Sequence, residues 1–135
     1  MKTAVILSAR KDKGTEIPFP LKPYHEDICL IDRTIKALSE LDYNNIFIVV
    51  GHQHELYKKY ESDTIHLVLN PEYKFTSSMG SLAVVAPYIQ EDFLLIESDT
   101  FYEYKVLKSL TETANENCFA ITEESGSGDE AFVET

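Results

Sequence analysis

Two short stretches, Ala4-Val5-Ile6-Leu7 and Ile46-Phe47-Ile48-Val49-Val50, are apolar at every position. A strand with one wet face alternates polar and apolar residues, so an unbroken apolar run of this length reads as a strand covered on both faces, which is the mark of a parallel sheet between helices. The rest of the chain fits that frame by alternation. Strands are expected at residues 3–9, 45–50, 65–69, 93–97 and 118–122. Between them lie expected helices: one opened by Asp32 as N-cap with Ile35, Leu38 and Leu41 on one face, a short amphipathic one at 54–60, one at 78–89 with Leu82, Val85 and Ile89 inward, and one at 103–114. The expected fold is therefore α/β, a three-layer, Rossmann-like, mostly parallel sheet.

The 135 residues, 44% hydrophobic and 11% aromatic, suffice for one core. Residues 1–122 are read as one α/β domain. Residues 123–135, polar and rich in Gly and Ser with Phe132-Val133 near the end, are read as a tail or as the start of a missing C-terminal portion. No stretch approaches the length of a membrane span and no signal-peptide pattern opens the chain, so a cytoplasmic location is expected. Cys29 and Cys118 sit in apolar surroundings and read as buried free thiols. The four histidines, at 25, 52, 54 and 66, lack metal-ligand spacing and read as surface or loop-packing residues, and most of the aromatic residues read as packing.

A net charge of -11 argues against a general nucleic-acid surface. The charge is uneven, however: Lys2, Arg10, Lys11, Lys13, Lys22 and Arg33 supply half of the 12 cations, while the acids crowd the region after residue 90. In a doubly wound sheet ligands bind beyond the carboxyl ends of the strands. The loop after the first strand, "SARKDKGTEIPFPLKP", brings Arg10, Lys11 and Lys13 there, with backbone N–H groups near Gly14 as further donors for a polyphosphate. It is neither a Walker A loop nor G-x-G-x-x-G. Pro18, Pro20 and Pro23 hold Lys22 in a stiff extended segment. The competing reading is a basic surface loop with turn-forming prolines.

At the end of the fourth strand, "LLIESDT" brings Asp99 to the same sheet edge. A carboxylate facing phosphates needs a cation between them, and Mg²⁺, which takes one or two carboxylates plus phosphate oxygens, fits that need. The competing reading is a turn cap.

The succession of these pieces resembles the nucleotidyltransferases with a glycosyltransferase-A-like fold, the nucleotide-diphospho-sugar transferase type, and within them small cytidylyltransferases of the phosphocholine cytidylyltransferase kind. The motifs in order are the apolar first strand, "PLKP", "IFIVVGHQHELY", "LVLNPEYKFTSSMGSL" and "ESD", covering residues 3–122. The resemblance implies that Lys22 contacts the nucleotide and the attacking phosphate, that Asp99 is the first Mg²⁺ ligand, and that Ser78 and Ser81 lie near the base. Ser8, Ala9, Arg10, Lys11, Lys13 and Gly14 would form the nucleotide loop, in which Arg10 stands where the family pattern A-A-G-x-G-x-R has its glycine. The second metal carboxylate of the family has no counterpart before Thr135, as expected of a chain truncated at its C-terminus. The implied activity transfers a nucleoside monophosphate, CMP from CTP, to a small phosphate- or phosphonate-bearing acceptor such as phosphocholine, an aminoalkylphosphonate or a sugar or polyol phosphate, releasing pyrophosphate. Phe101, Tyr102 and Tyr104 follow the acidic motif and are candidates for the acceptor pocket, where aromatic faces suit an amine. A glycosyltransferase of the same fold and a non-catalytic nucleotide-binding module are the alternatives.

Overall fold

A computed structural model of the chain describes residues 2–10, 17–113 and 117–118. Lys11, Lys13 and Gly14, most of the expected fifth strand and the 123–135 segment lie outside these residues. Four strands, β1 (Thr3–Ser8), β2 (Asn45–Val50), β3 (Ile65–Leu69) and β4 (Phe93–Glu97), form one sheet in the order β3-β2-β1-β4. Every pairing is parallel, with Ile6 opposite both Ile48 and Ile96. Helices α1 (Leu30–Glu40), α2 (Ser78–Val85) and α3 (Tyr104–Glu112) flank the sheet, so the α/β, Rossmann-like class expected from the apolar runs is what forms.

The two faces have separate cores. On one, Ala4, Ile6, Ile46, Ile48 and Ile96 pack with Ile31 and Leu38 of α1, Leu107 of α3 and the fully buried Tyr57. On the other, Val5, Leu7, Phe47 and Val49 meet Val85 of α2, with Leu82 and Ile89 at its flank. β1 and β2, in the middle, are buried almost throughout, whereas β3 and β4 are half-open. Phe93 and Leu95, expected to be covered, stay exposed because α2 packs over β1 and β2 and leaves that flank of β4 clear among the described residues.

The helix ends depart from the sequence reading for local reasons. α1 starts one turn earlier than expected: Cys29 is the N-cap, and Asp32, at the third helical position, reaches back to accept the Cys29 N–H at 3.1 Å. The same oxygen accepts the Cys29 thiol at 3.2 Å, and the other accepts the Tyr60 hydroxyl at 2.7 Å. The short helix expected at His54–Tyr60 forms over those residues as a 3₁₀ helix, following Gln53 in the left-handed region at φ 53°. Tyr57 pins the middle of that short segment to the end of β1, where its hydroxyl lies 2.6 Å from Ser8 Oγ. α2 stops at Val85 and continues as a 3₁₀ turn, Ala86–Tyr88, because Pro87 has no N–H to extend an α-helix. Cys118, expected to be buried, is exposed: it follows the exposed end of α3, and its sulfur reaches only the Thr113 carbonyl at 3.9 Å among the described residues. Phe75, expected to pack, is 84% exposed. No helix among the described residues is long and apolar enough to cross a membrane.

Candidate functional site

The strand order reverses at β1: the chain moves from β1 to β2 and β3 on one side, then returns to place β4 on the other. The crevice beyond the carboxyl ends of β1 and β4 is thus the topological switch point of the sheet, where ligands bind in folds of this kind. The two loops that the sequence singled out converge there. Ser98 N–H donates to the Leu7 carbonyl at 3.1 Å, carrying the β1–β4 ladder past the strand ends. Just beyond, Arg10 Nη1 lies 3.8 Å from Asp99 Oδ2. Their side chains are 83% and 41% exposed, so the pair is screened and easily parted.

The strand ends beneath this pair are closely built. Ser8 is buried with its hydroxyl 2.6 Å from that of Tyr57, and the carbonyl of the buried Ala9 accepts the His52 N–H at 3.3 Å. Gly51 ends β2 where a Cβ would come within 2.8 Å of the Ala9 carbonyl and 2.6 Å of Tyr73 Cβ, which admits only glycine without displacing the backbone at the site. His52 follows; its Nε2 is buried with no hydrogen-bond partner among the described residues.

Lys22 caps the 3₁₀ turn Phe19–Leu21, its N–H bonded to the Phe19 carbonyl at 3.1 Å. Pro18 and Pro20 fix this turn, and Leu21 packs against the core. Lys22 itself is extended, at φ -74° and ψ 130°, but it follows a 3₁₀ turn where an extended segment was expected.

After β3, Asn70 is 1% exposed and organises the entry to α2. Its amide donates to Ser81 Oγ at 3.1 Å and to Thr76 Oγ1 at 3.0 Å, while its carbonyl oxygen accepts from Glu72 N–H at 3.0 Å. Ser81 is thus buried within this network. Ser78, at the exposed start of α2, donates to Glu97 Oε1 at 2.8 Å, linking α2 to the acidic end of β4. Glu97 and Asp99 are two residues apart at the end of one strand, and a Mg²⁺ ion with one or two carboxylates and phosphate oxygens suits that donor set. No cluster of three or more His, Cys, Asp or Glu among the described residues holds a metal by itself.

The segment after Asp99 carries the aromatic residues expected at the acceptor pocket. Phe101 lies with its ring 4.0 Å from the Arg33 guanidinium carbon and edge-to-face with Tyr24 at 5.7 Å. Its face is thus already engaged by a cation of the protein. Tyr102 is half-buried, and burial, with the Glu97 and Asp99 charges, raises its hydroxyl pKa above the ordinary tyrosine value against hydrogen bonds from Thr100 and the Glu97 backbone that lower it. Tyr104 begins α3 and, with Arg33, Lys36, Glu40 and Tyr102, lines a shallow groove of about 160 Å³ between α1 and α3. The sequence reading counted Arg33 only as one of several N-terminal cations and passed over Tyr24 and Asn70. Only the spacing of Asn70 from the apolar run of β3 marks it, and nothing in the sequence pairs Arg33 with Phe101.

No protein-family model matches the chain. A CMP-5'-(3-aminopropyl)phosphonate synthase from Streptomyces rubellomurinus is 27% identical over 86 residues, 60% of this chain and 14% of that protein. Among solved structures, a nucleotidyl transferase from Methanothermobacter thermautotroptrophicus superposes with a TM-score of 0.68 at 18% identity, covering 84% of this chain and 57% of the other. That likeness shows a shared fold. The chain spans about one seventh of the length of the synthase and a little over half of the solved transferase.

Proposed function

We propose that the chain is the nucleotide-binding part of a nucleotidyltransferase that moves CMP from CTP onto a small phosphonate or phosphate, an aminoalkylphosphonate being the favoured acceptor. The observation that carries this reading is the meeting of Arg10 and Asp99 across the switch point. It sets a cation for phosphate and a carboxylate for metal side by side, on a fold shared with a nucleotidyl transferase. The choice of CMP and of a phosphonate rests on the printed name of the Streptomyces relative.

In this reaction an acceptor oxygen attacks the α-phosphorus in line, the bond to the bridging α,β-oxygen breaks, and pyrophosphate leaves. The protein contributes position and charge, with little covalent chemistry. Arg10, with Lys11 and Lys13, receives the β- and γ-phosphates and offsets the charge gathering on pyrophosphate. Lys22 lowers the repulsion between two anionic reactants, a task suited to a mobile point charge. Asp99, with Glu97 beside it, would hold Mg²⁺, which supplies charge neutralisation at the phosphates when bound. Ser78 borders the nucleotide, and Ser81 with Asn70 shapes the turn beneath it.

Calorimetric titration with the four nucleoside triphosphates, with Mg²⁺ and with EDTA, tests the nucleotide. CTP should bind most tightly, and more tightly with Mg²⁺. Pyrophosphate release with CTP and 3-aminopropylphosphonate tests the transfer in the full-length protein. Preference for a purine triphosphate, or CTP affinity indifferent to Mg²⁺ in wild type, overturns the reading.

A further inference from the structure

The segment that carries Asp99 is attached to the fold in an unusual way. Residues 99–102 take part in no backbone–backbone hydrogen bond among the described residues; the β-ladder ends at Ser98 N–H, and the next such bond runs from Val106 N–H to the Glu103 carbonyl. A carboxylate meant to hold a cation within a fraction of an ångström needs firmer support than that.

Arg33 supplies it. The residue sits in the first half of α1, whose Leu30, Ile31, Thr34 and Leu38 are buried, so its Cα is fixed by the core. Two of its five donors, Nε at 3.4 Å and Nη2 at 3.2 Å, converge on the Tyr102 carbonyl. The guanidinium carbon lies over the Phe101 ring, 4.0 Å from its centroid. The Phe101 ring then meets Tyr24 at an interplanar angle of 84°. Tyr24 is itself held by its N–H on the Ile28 carbonyl at 2.9 Å, two residues after Lys22. One planar cation thus ties α1, the Asp99 segment and the Lys22 segment together. A lysine has neither the fork nor the stacking plane to do so.

We propose that Arg33, backed by Tyr24, is a positioning residue that clasps residues 99–102 and sets Asp99 and Lys22 in a common frame. The inference rests on the transfer reading above for what that frame is used for, while the clasp itself rests on the geometry alone.

The variants Arg33→Gln, Arg33→Lys and the milder, surface-placed Tyr24→Ala are compared with wild type in the full-length protein. Backbone ¹⁵N relaxation reads the clasp: order parameters at residues 99–103 should fall in all three, with α1 and the central strands unchanged. Mn²⁺ binding in the presence of CTP, followed by electron paramagnetic resonance, and pyrophosphate release read the positioning. Both arginine variants should lose on the order of tenfold or more in kcat with little change in KM for CTP, because a misplaced group costs rate more than binding. Lysine should not rescue. Equal order parameters in wild type and the arginine variants overturn the clasp whatever the activity. Lower order parameters with unchanged kcat and Mn²⁺ affinity overturn the positioning role. A wild type that neither binds Mn²⁺ with CTP nor releases pyrophosphate overturns the transfer reading and the positioning with it, and the order parameters still decide the clasp.

Discussion

Replacing Arg10 by Gln should strengthen divalent-cation binding in the absence of nucleotide and weaken it in the presence of CTP. Without ligand, Arg10 lies 3.8 Å from Asp99, the place a metal would take. Two unit charges about 4 Å apart attract by about 1 kcal/mol in a water-like medium, and a divalent ion beside an unmoved guanidinium would meet about twice that as repulsion. With its side chain 83% exposed, Arg10 swings away instead, so the metal forfeits only the pair itself. Exposed pairs are worth about 0.2–1 kcal/mol, which converts to about 1.4- to 5-fold tighter Mn²⁺ binding by Arg10→Gln. The gain should fade toward 1 M salt, where screening acts within about 3 Å. Once CTP is present the displaced arginine meets phosphate, and its loss should then cost about tenfold, as a charge-assisted hydrogen bond does. Mn²⁺ titration by electron paramagnetic resonance at low and high salt, with and without CTP, measures all four numbers. Unchanged or weaker Mn²⁺ binding by the variant without nucleotide at low salt refutes the competition between arginine and metal.

Lys22→Ala should lower pyrophosphate release by about 10²–10³-fold in the full-length protein. Its melting temperature should hold, because the backbone N–H and not the side chain closes the turn at Phe19. Asn70→Ala should cost about 1–3 kcal/mol in urea unfolding, since it leaves the buried Ser81 oxygen without its donor, and a loss below about 0.5 kcal/mol would count against the network. Burial alone would raise the Asp32 pKa, but hydrogen bonds from Tyr60 and Cys29, with the charge of Lys59, outweigh it and hold the group below its ordinary 3.8. A depressed carboxylate stabilises the fold above its unfolded pKa and loses that contribution as pH falls through the folded value. Acid unfolding of Asp32→Asn should therefore be flatter than wild type below about pH 4, and parallel curves would refute the assignment.

What the sequence made legible follows from burial on two sides. β1 and β2 were readable because residues 4–7 and 46–50 are apolar without a break, and the parallel sheet then dictated that all strands end at one edge, which is how Arg10 and Asp99 were found in the same crevice from residues nearly ninety positions apart. Where one side is open the pattern misled: β4 looks like a core strand, yet Phe93 and Leu95 face solvent. The start of α1 slipped by a turn because Asp32 is as good a partner at the third helical position as at the N-cap, and only Tyr60, from a distant segment, favours the former. Ser81 reads as a ligand-facing hydroxyl until Asn70 is seen to claim it. Arg33 was opaque for the same reason. Its role is made of a carbonyl and two rings contributed by other segments, and no local spacing encodes such a meeting.

The central place of β1 has a consequence for how the chain comes into being. β1 is made before both of its neighbours, and the later of them, β4, pairs across about ninety residues, Ile6 with Ile96. Loop closure over such a span must precede the contacts that reward it, so the topology is a slow one. During synthesis at about 5–20 residues per second, roughly 2–10 s separate the emergence of β2 from that of β4. Through that interval an apolar strand with one unpaired edge waits in a half-made sheet, open to pairing with neighbouring chains.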